Sequence, residues 1–369
     1  MKHIILFVDY FTPHIWGIEK LFWDITKALI HQHYKISIIT SHHNKLLPKE
    51  ESDNNLTIYR VWSSRRDFRR YSLLWWIHQR KIIQSSTHIH TTTFTAALPA
   101  RILGYMYHKK VSITIHEVYG EIRNILKWRY GIFYRLYEAL LIRLPRDHII
   151  TPSQYTQQCI LNLRPKLQVP LSVIYNQIDY QFRSKKEWKQ TSLIQKRKLD
   201  WIFIGRLWKE KWIETILEAL PSIRQKIPTF RLHIVSDPSD KDKLMIDSTI
   251  KRLSIEKMIV WHNTIQDESL LRDLILSCTI GIVPSISEWF CYTAVQMEAL
   301  WLPLIASRRG SLPEVLDHHT TIFIPYWDRE ALSKAVISFF QKEQVNNQHI
   351  IKKRFSNTLL AYIDIFNNK

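Results

Sequence analysis

Glycine is scarce in this chain. Seven glycines in 369 residues come to about 2%, against about 7% in ordinary proteins. Tryptophan outnumbers glycine 14 to 7, the reverse of the usual order. The two together, 21 of 369 residues, make about 6%, close to the ordinary glycine share. Cysteine is scarce too: Cys159, Cys278 and Cys291 lie far apart, with neither metal-ligand spacing nor the density of a disulfide framework. A reduced, cytosolic setting is the expectation. No apolar run approaches the roughly 18–20 residues of a membrane span. The opening "MKHIILFVDYF" is interrupted by Asp9 and followed by no small-residue cleavage site, so it reads as a buried strand rather than a signal peptide. Acidic residues are outnumbered by basic ones, 33 to 52, for a net charge of +19. Such a surface attracts polyanions: nucleic acid, acidic lipid headgroups or phosphorylated substrates. The P-loop pattern G-x-x-x-x-G-K-[ST] is missing, which argues against a nucleic-acid-binding ATPase, and no nucleic-acid partner is expected.

Strand-like and helix-like segments alternate along the chain. "HIILFVDY" is a continuous apolar run suited to a strand buried on both faces of a parallel sheet. "IEKLFWDITKALIHQ" follows with Leu21, Ile25, Ala28 and Leu29 at helical spacing, then "YKISIITS" as a second strand. "THIHTTT", "VSITIHE" and "DHIITPS" continue the pattern. It restarts at "LDWIFIGRL", with "FRLHIVS", "KMIVWHN", "IGIVPS" and "LPLIAS" as further buried strands. Between the halves, Ser184–Lys198 is polar and basic and reads as the linker. The expected architecture is α/β: two doubly wound, Rossmann-like domains facing each other across a cleft.

In such folds ligands bind where strands exit into loops, and four exits carry candidate chemistry. "FTPHIWGIEK" runs from the first strand into a helix N-terminus, where free N–H groups suit a phosphate and Gly17 permits close approach. An ordinary βα turn would look the same. In "GRLWKEKWIE", Arg206 and Lys211 pair a guanidinium fork with a point charge, suiting a diphosphate; a solvated surface cluster is the bland reading. Glu288, directly after "IVPSIS", could grip sugar hydroxyls or complement a helix dipole. "ITIHE" puts His116 and Glu117 at a fourth strand end.

Taken together these stretches resemble the family-4 glycosyltransferases of the GT-B fold. The family's Gly-Gly loop corresponds to "PHIWGIE", its GRL-x-x-x-K-G motif to "GRLWKEKW", and its E-G-F-G motif with a second Glu to "EWFCYTAVQMEALWLP". "VIYNQID", "IPYWDRE" and "RFSNTLLAYIDIF" resemble later family segments, so the likeness spans nearly the whole chain. It implies an N-terminal acceptor-side domain over 1–180, a nucleotide-sugar-binding domain over 181–350, and a final helix, 351–369, returning to the N-terminal domain. It implies retaining, metal-independent, hexosyltransferase-type transfer from a UDP- or GDP-linked sugar. No cofactor is expected, since the nucleotide-sugar is a substrate. The acceptor would be a glycan or a lipid-linked molecule of cell-envelope polysaccharide or glycolipid assembly.

By the same resemblance His116, Arg206, Lys211 and Glu288 form the catalytic set. Trp16, Gly17, Gly205, Phe290, Cys291, Tyr292 and Gln296 would lie at the donor. Gln296 stands where the family has its second Glu, and it can accept a hydrogen bond but brings no charge. A catalytically dead homologue acting as a binding or scaffold protein is the alternative reading.

Trp16, Trp212, Trp289 and Trp301 each fall on a family glycine, and Trp208, Trp327 and Trp23 fall where glycine would suit. A UGA codon read as glycine in the source cell, and as tryptophan under another code table, would produce this pattern and the inverted composition. From Arg60 to Lys81, seven basic residues face Asp67 alone, with Phe68, Tyr71, Leu73 and Leu74 interleaved. That composition suits peripheral contact with an anionic membrane surface. A cytoplasmic protein, peripheral on the inner face of the cell membrane, is the expectation.

Overall fold

The computed structural model describes residues 1–14, 17–62, 80–93, 96–119, 131–143, 147–178, 199–207, 210–341 and 358–367. The chain divides into two units, Met1–Gln177 with Arg354–Lys369, and Ile178–Lys353. The basic stretch at 63–79, the 184–198 segment, Trp16 and Trp208 lie outside the described residues.

The first unit opens with β1 (His3–Phe7), whose five residues are all buried, as its apolar run requires. Helix α1 (Gly17–His31) lays Leu21, Phe22, Ile25 and Leu29 against the sheet. Strands β2 (Lys35–Ser41), β3 (Glu50–Asp53), β4 (Leu56–Trp62) and β5 (His88–Thr92) follow. Next come α2 (Ala97–Met106), β6 (Lys110–Thr114), α3 (Gly131–Arg143), β7 (His148–Thr151), α4 (Gln154–Leu163) and β8 (Leu171–Val173). The sheet runs β3-β4-β2-β1-β5-β6-β7-β8, parallel except for β3 against β4, so its order reverses between β1 and β5.

The second unit runs β9 (Asp200–Ile204), α5 (Glu214–Lys226), β10 (Arg231–Val235), α6 (Asp240–Arg252), β11 (Ile259–His262) and α7 (Glu268–Ser277). It continues through β12 (Ile280–Val283), α8 (Tyr292–Ala299), β13 (Leu304–Ser307), α9 (Leu312–Val315), β14 (Thr321–Ile324) and α10 (Arg329–Gln341). Its parallel sheet is ordered β11-β10-β9-β12-β13-β14, with the reversal between β9 and β12. Such a reversal leaves a crevice at the carboxyl ends of the two strands, where open α/β sheets bind ligands.

The last described helix, α11 (Thr358–Asn367), belongs to the first unit. Tyr362 and Phe366 enter the cluster formed by Ile4, Leu6, Phe22 and Ile36. The Tyr362 hydroxyl bonds Thr114 Oγ1 at 2.9 Å, and Thr358 Oγ1 donates to the Tyr175 carbonyl at 2.5 Å. No described helix is long and apolar enough to cross a membrane.

Candidate functional site

In the second unit, the loop after β9 and the loop after β12 meet at the reversal of strand order. The Ile286 amide donates to the Glu210 carbonyl at 2.9 Å, and Thr293 Oγ1 donates to the Ile204 carbonyl at 3.3 Å. Between them Lys211 Nζ donates to Glu288 Oε1 at 2.5 Å. Ser285 Oγ donates to the same carboxylate oxygen at 2.7 Å. Burial works to lower the Lys211 pKa, but the Glu288 carboxylate outweighs it, by its charge and by its hydrogen bond, and holds the ammonium above its ordinary value. Arg206 bears on Lys211 as a like charge, so the two cations share one neighbourhood. Sequence spacing placed Lys211 and Glu288 separately at the rim; the fold makes them partners across 77 residues of chain.

Glu288 is seated by a glycine that the motifs did not single out. A β-carbon on Gly310, whose φ is +61°, would lie 2.2 Å from the Glu288 carbonyl oxygen and 2.8 Å from its amide nitrogen. The Ser311 amide donates to that carbonyl at 2.9 Å. Gly310 thus lets the loop after β13 press against the backbone carrying the carboxylate. The signal was a lone glycine just past a buried strand in a glycine-poor chain. Gly205 is less demanding: an added β-carbon would make ordinary contacts with Phe203 and the Lys211 stem.

Cys291 precedes α8 in the left-handed region, φ 64°. Burial first, and the Glu288 charge second, push its thiol up to about 12, so it stays a neutral thiol. Phe290 is buried and meets Tyr292 edge-on, ring centroids 5.2 Å apart. Gln296 lies half-buried one turn further along α8. Glu298 is committed elsewhere, its Oε1 accepting from the Asp317 amide at 2.5 Å.

In the first unit His116 follows β6 at the end of a polar ladder. His88 Nε2 and His90 Nδ1 each lie 2.7 Å from Ser112 Oγ, and His90 Nε2 is 3.1 Å from Thr114 Oγ1. Burial lowers the His116 pKa to about 3, so the ring is neutral, and its Nε2 is buried without a hydrogen-bond partner. Ser41 Oγ, His43 Nδ1, Thr92 Oγ1 and Thr93 Oγ1 share that condition at neighbouring strand exits. Buried polar groups are ordinarily satisfied, so these strand exits are a candidate for polar ligand contact, although such atoms also occur in the second unit, Thr215 Oγ1 and Thr321 Oγ1 among them. Gly17 begins α1 and is exposed there.

One sequence expectation needs correction. Arg60 does not belong to an exposed basic face: its guanidinium is buried, bonded to Glu51 at 2.9 Å and to the Pro48 carbonyl at 3.0 Å. A charge held by an internal partner is withdrawn from any surface contact. Arg80 and Lys81 are exposed.

Residues 15–182 match the family described as Glycosyltransferase Family 4, and residues 184–355 match Glycosyl transferases group 1. The chain carries the GT-B glycosyltransferase fold. The glycogen synthase of Mycobacterium tuberculosis is 26% identical over 68% of this chain and 59% of its own length. A component of human phosphatidylinositol N-acetylglucosaminyltransferase is 21% identical over 87% of this chain and 65% of its own length. The chain therefore spans less than two thirds of either relative. Among solved structures, sucrose-phosphate synthase from Thermosynechococcus elongatus superposes with a TM-score of 0.76 at 15% identity, covering 100% of this chain and 95% of that one. Anabaena HepE, solved with UDP and glucose, gives 0.71 at 14% identity over 100% and 97% of the two chains. In this glycosyltransferase fold the Lys211–Glu288 pair sits at the strand-order reversal of the C-terminal unit.

Proposed function

We propose that the chain transfers a sugar from a UDP- or GDP-linked donor to a glycan or lipid-linked acceptor, with retention and without a metal. The observation that carries this reading is the Lys211–Glu288 pair, with Arg206 beside it, at the crevice where the C-terminal sheet reverses its strand order. As the donor bond breaks, negative charge gathers on the departing diphosphate. A cation already fixed at that point stabilises the charge without reorganising, and that favours the transition state over the bound donor. Lys211 and Arg206 take this role. Glu288 aims Lys211 and offers its carboxylate to sugar hydroxyls, while Phe290, Cys291, Tyr292 and Gln296 line the donor's approach. The neutral His116 ring, with Nε2 uncommitted, presents a hydrogen bond to the sugar rather than a charge.

Under this reading residues 1–180 receive the acceptor, 181–350 hold the donor, and 351–369 return to the first domain. The partly unsatisfied strand exits of the N-terminal unit support the acceptor assignment. Work at the cytoplasmic face of the cell membrane, in cell-envelope polysaccharide or glycolipid synthesis, completes the proposal. The Anabaena protein solved with UDP and glucose supports a nucleotide-sugar donor.

The test is a screen of UDP- and GDP-sugars for thermal stabilisation and nucleotide release, with and without EDTA, and with the product's anomeric configuration read by NMR. Stabilisation by one donor, EDTA-insensitive release and a retained configuration are expected. If no nucleotide-sugar binds or turns over, with glycine as well as with tryptophan at positions 212, 301 and 327, the chain is the non-catalytic homologue instead.

A further inference from the structure

We infer that positions 212, 301 and 327 are glycines in the protein that its source cell makes. Three tryptophans have left-handed backbone: Trp212 at φ 47°, Trp301 at 66° and Trp327 at 62°. A β-carbon in this region crowds the residue's own carbonyl, and bulky side chains rarely adopt it. Ten described residues have positive φ, nine of them not glycine. At its overall frequency of 14 in 369, tryptophan would fill about 0.4 of ten such positions; it fills three.

The hydrogen bonds at Trp301 make the same point independently. Helix α8 ends at Ala299 with Leu300 as its cap. The Trp301 amide then donates to the Glu298 carbonyl at 2.8 Å, and the Leu302 amide to the Met297 carbonyl at 3.1 Å. These two bonds are the paired closure of a Schellman motif, and Trp301 holds its left-handed position, where glycine predominates. Trp212 and Trp327 are joined differently. Their rings lie against each other, centroids 5.2 Å apart, on the residue directly after Lys211. With glycine at both places that indole pair disappears from the neighbourhood of the cation.

Three other tryptophans pack as aromatic rings, although the Trp201 indole Nε1 is buried without a hydrogen-bond partner. Trp201 is fully buried in β9 and stacks on Phe230 at 4.1 Å. Trp261 lies under the Lys243 ammonium at 3.5 Å; Trp23, expected from sequence where glycine would suit, instead lacks a positive φ and meets Phe11 edge-on at 5.8 Å. The inference therefore separates two sets: UGA codons read as glycine at 212, 301 and 327, and true tryptophan codons at 23, 201 and 261. Trp289, whose φ is not positive, belongs to neither set. The identity of these residues stands without the proposed activity; only the consequence for donor binding rests on it.

Peptide mass spectrometry of the chain purified from its source cell decides the identity. Glycine at 212, 301 and 327, with tryptophan at 23, 201 and 261, is the expected result. Tryptophan, or a UGG codon, at 212, 301 or 327 overturns the inference at that position. A second measurement uses the recombinant chain with Trp212→Gly, Trp301→Gly and Trp327→Gly combined. UDP or GDP should bind at least tenfold more tightly than to the unsubstituted chain, while Trp201→Gly alone should lose the folded C-terminal unit. A triple variant that melts below the unsubstituted chain and binds no tighter counts against the inference. Native peptides carrying glycine in a protein without transferase activity would sink the proposed function and leave this inference standing.

Discussion

Across β5, β6 and α11 of the N-terminal unit a run of buried polar groups is neutral and bonded within itself, whereas in the C-terminal unit the site is built on opposite charges at the strand exits. His88, His90, Ser112, Thr114 and Tyr362 form a chain of hydrogen bonds across β5, β6 and α11 with no ion pair among them. Lys211 and Glu288 are joined as an ion pair at 2.5 Å. The same doubly wound plan therefore gives one unit with a buried histidine ladder that depends on staying uncharged, and another whose site depends on staying charged. Proton concentration and charge removal should act on them in opposite ways.

The largest effect should come from the charged side. Lys211→Met leaves the Glu288 carboxylate largely buried with its cation gone. Loss of a buried partner costs about 3–5 kcal/mol, and the partial exposure of the Lys211 side chain, 21%, brings that down to about 2–3 kcal/mol. Donor turnover should fall about 100- to 1,000-fold. The double variant Lys211→Met with Glu288→Gln should recover much of the stability but none of the turnover. Urea denaturation and nucleotide release on the glycine-bearing chain read both quantities. Equal stability in single and double variants would show that the pair is not coupled.

Next is Gly310→Ala. A β-carbon 2.2 Å from the Glu288 carbonyl, at φ +61°, must move the loop that carries the carboxylate. A loss of about 2–3 kcal/mol is expected, with weaker donor binding and an unchanged N-terminal unit in hydrogen exchange. A full-affinity Gly310→Ala would separate Gly310 from the site.

Acid should act on the other unit. Burial lowers the folded pKa of His88 to about 4 and of His116 to about 3, and holds His90 well below its ordinary value. Their stabilising effect is complete above the ordinary histidine value of about 6.5. As pH falls below that value, the unfolded chain binds protons that the folded chain refuses. Each such histidine then removes up to about 1.4 kcal/mol per pH unit until its own folded pKa is reached. The C-terminal unit has a milder case in His233 and His262, lowered by burial and stacked beside Asp200. Hydrogen exchange at pH 7.5 and pH 5 should therefore show the N-terminal unit opening first, and His88→Asn should flatten that dependence.

Much of this arrangement was legible in the residues. The apolar runs of β1, β2, β9 and β12 announced buried parallel strands, and the loops after them announced the rim. The β3–β4 hairpin was not legible, because all four residues of β3 are exposed and polar, with no apolar alternation to reveal a strand. The three-residue strand β8 was too short to register. In the site, Lys211 and Glu288 could each be named from their motifs, yet a pairing across 77 residues is a property of strand order rather than of local spacing. Gly310 escaped for the same reason, since it acts on Glu288 from the loop after β13; Ser285, three residues before Glu288, lay within local spacing and was passed over. His116 was read at a strand end, but its burial depends on α1, whose Phe22 ring lies 6.5 Å from it.

The smallest expected effect falls at the far end of the ladder. Tyr362 is 1% exposed, so Tyr362→Phe removes one hydroxyl and leaves the packing of its ring on Phe366 and His90 intact. Thr114 keeps His90 Nε2 as a partner at 3.1 Å, so no buried hydroxyl is orphaned and the loss should be about 1 kcal/mol. The melting of the N-terminal unit should drop by a few degrees, about 2–4 °C for a domain of this size. Nucleotide binding should not move. A Tyr362→Phe chain that loses donor affinity along with N-terminal stability would mean that the neutral ladder and the charged pair answer to each other, and the division of labour drawn between the two units would fail.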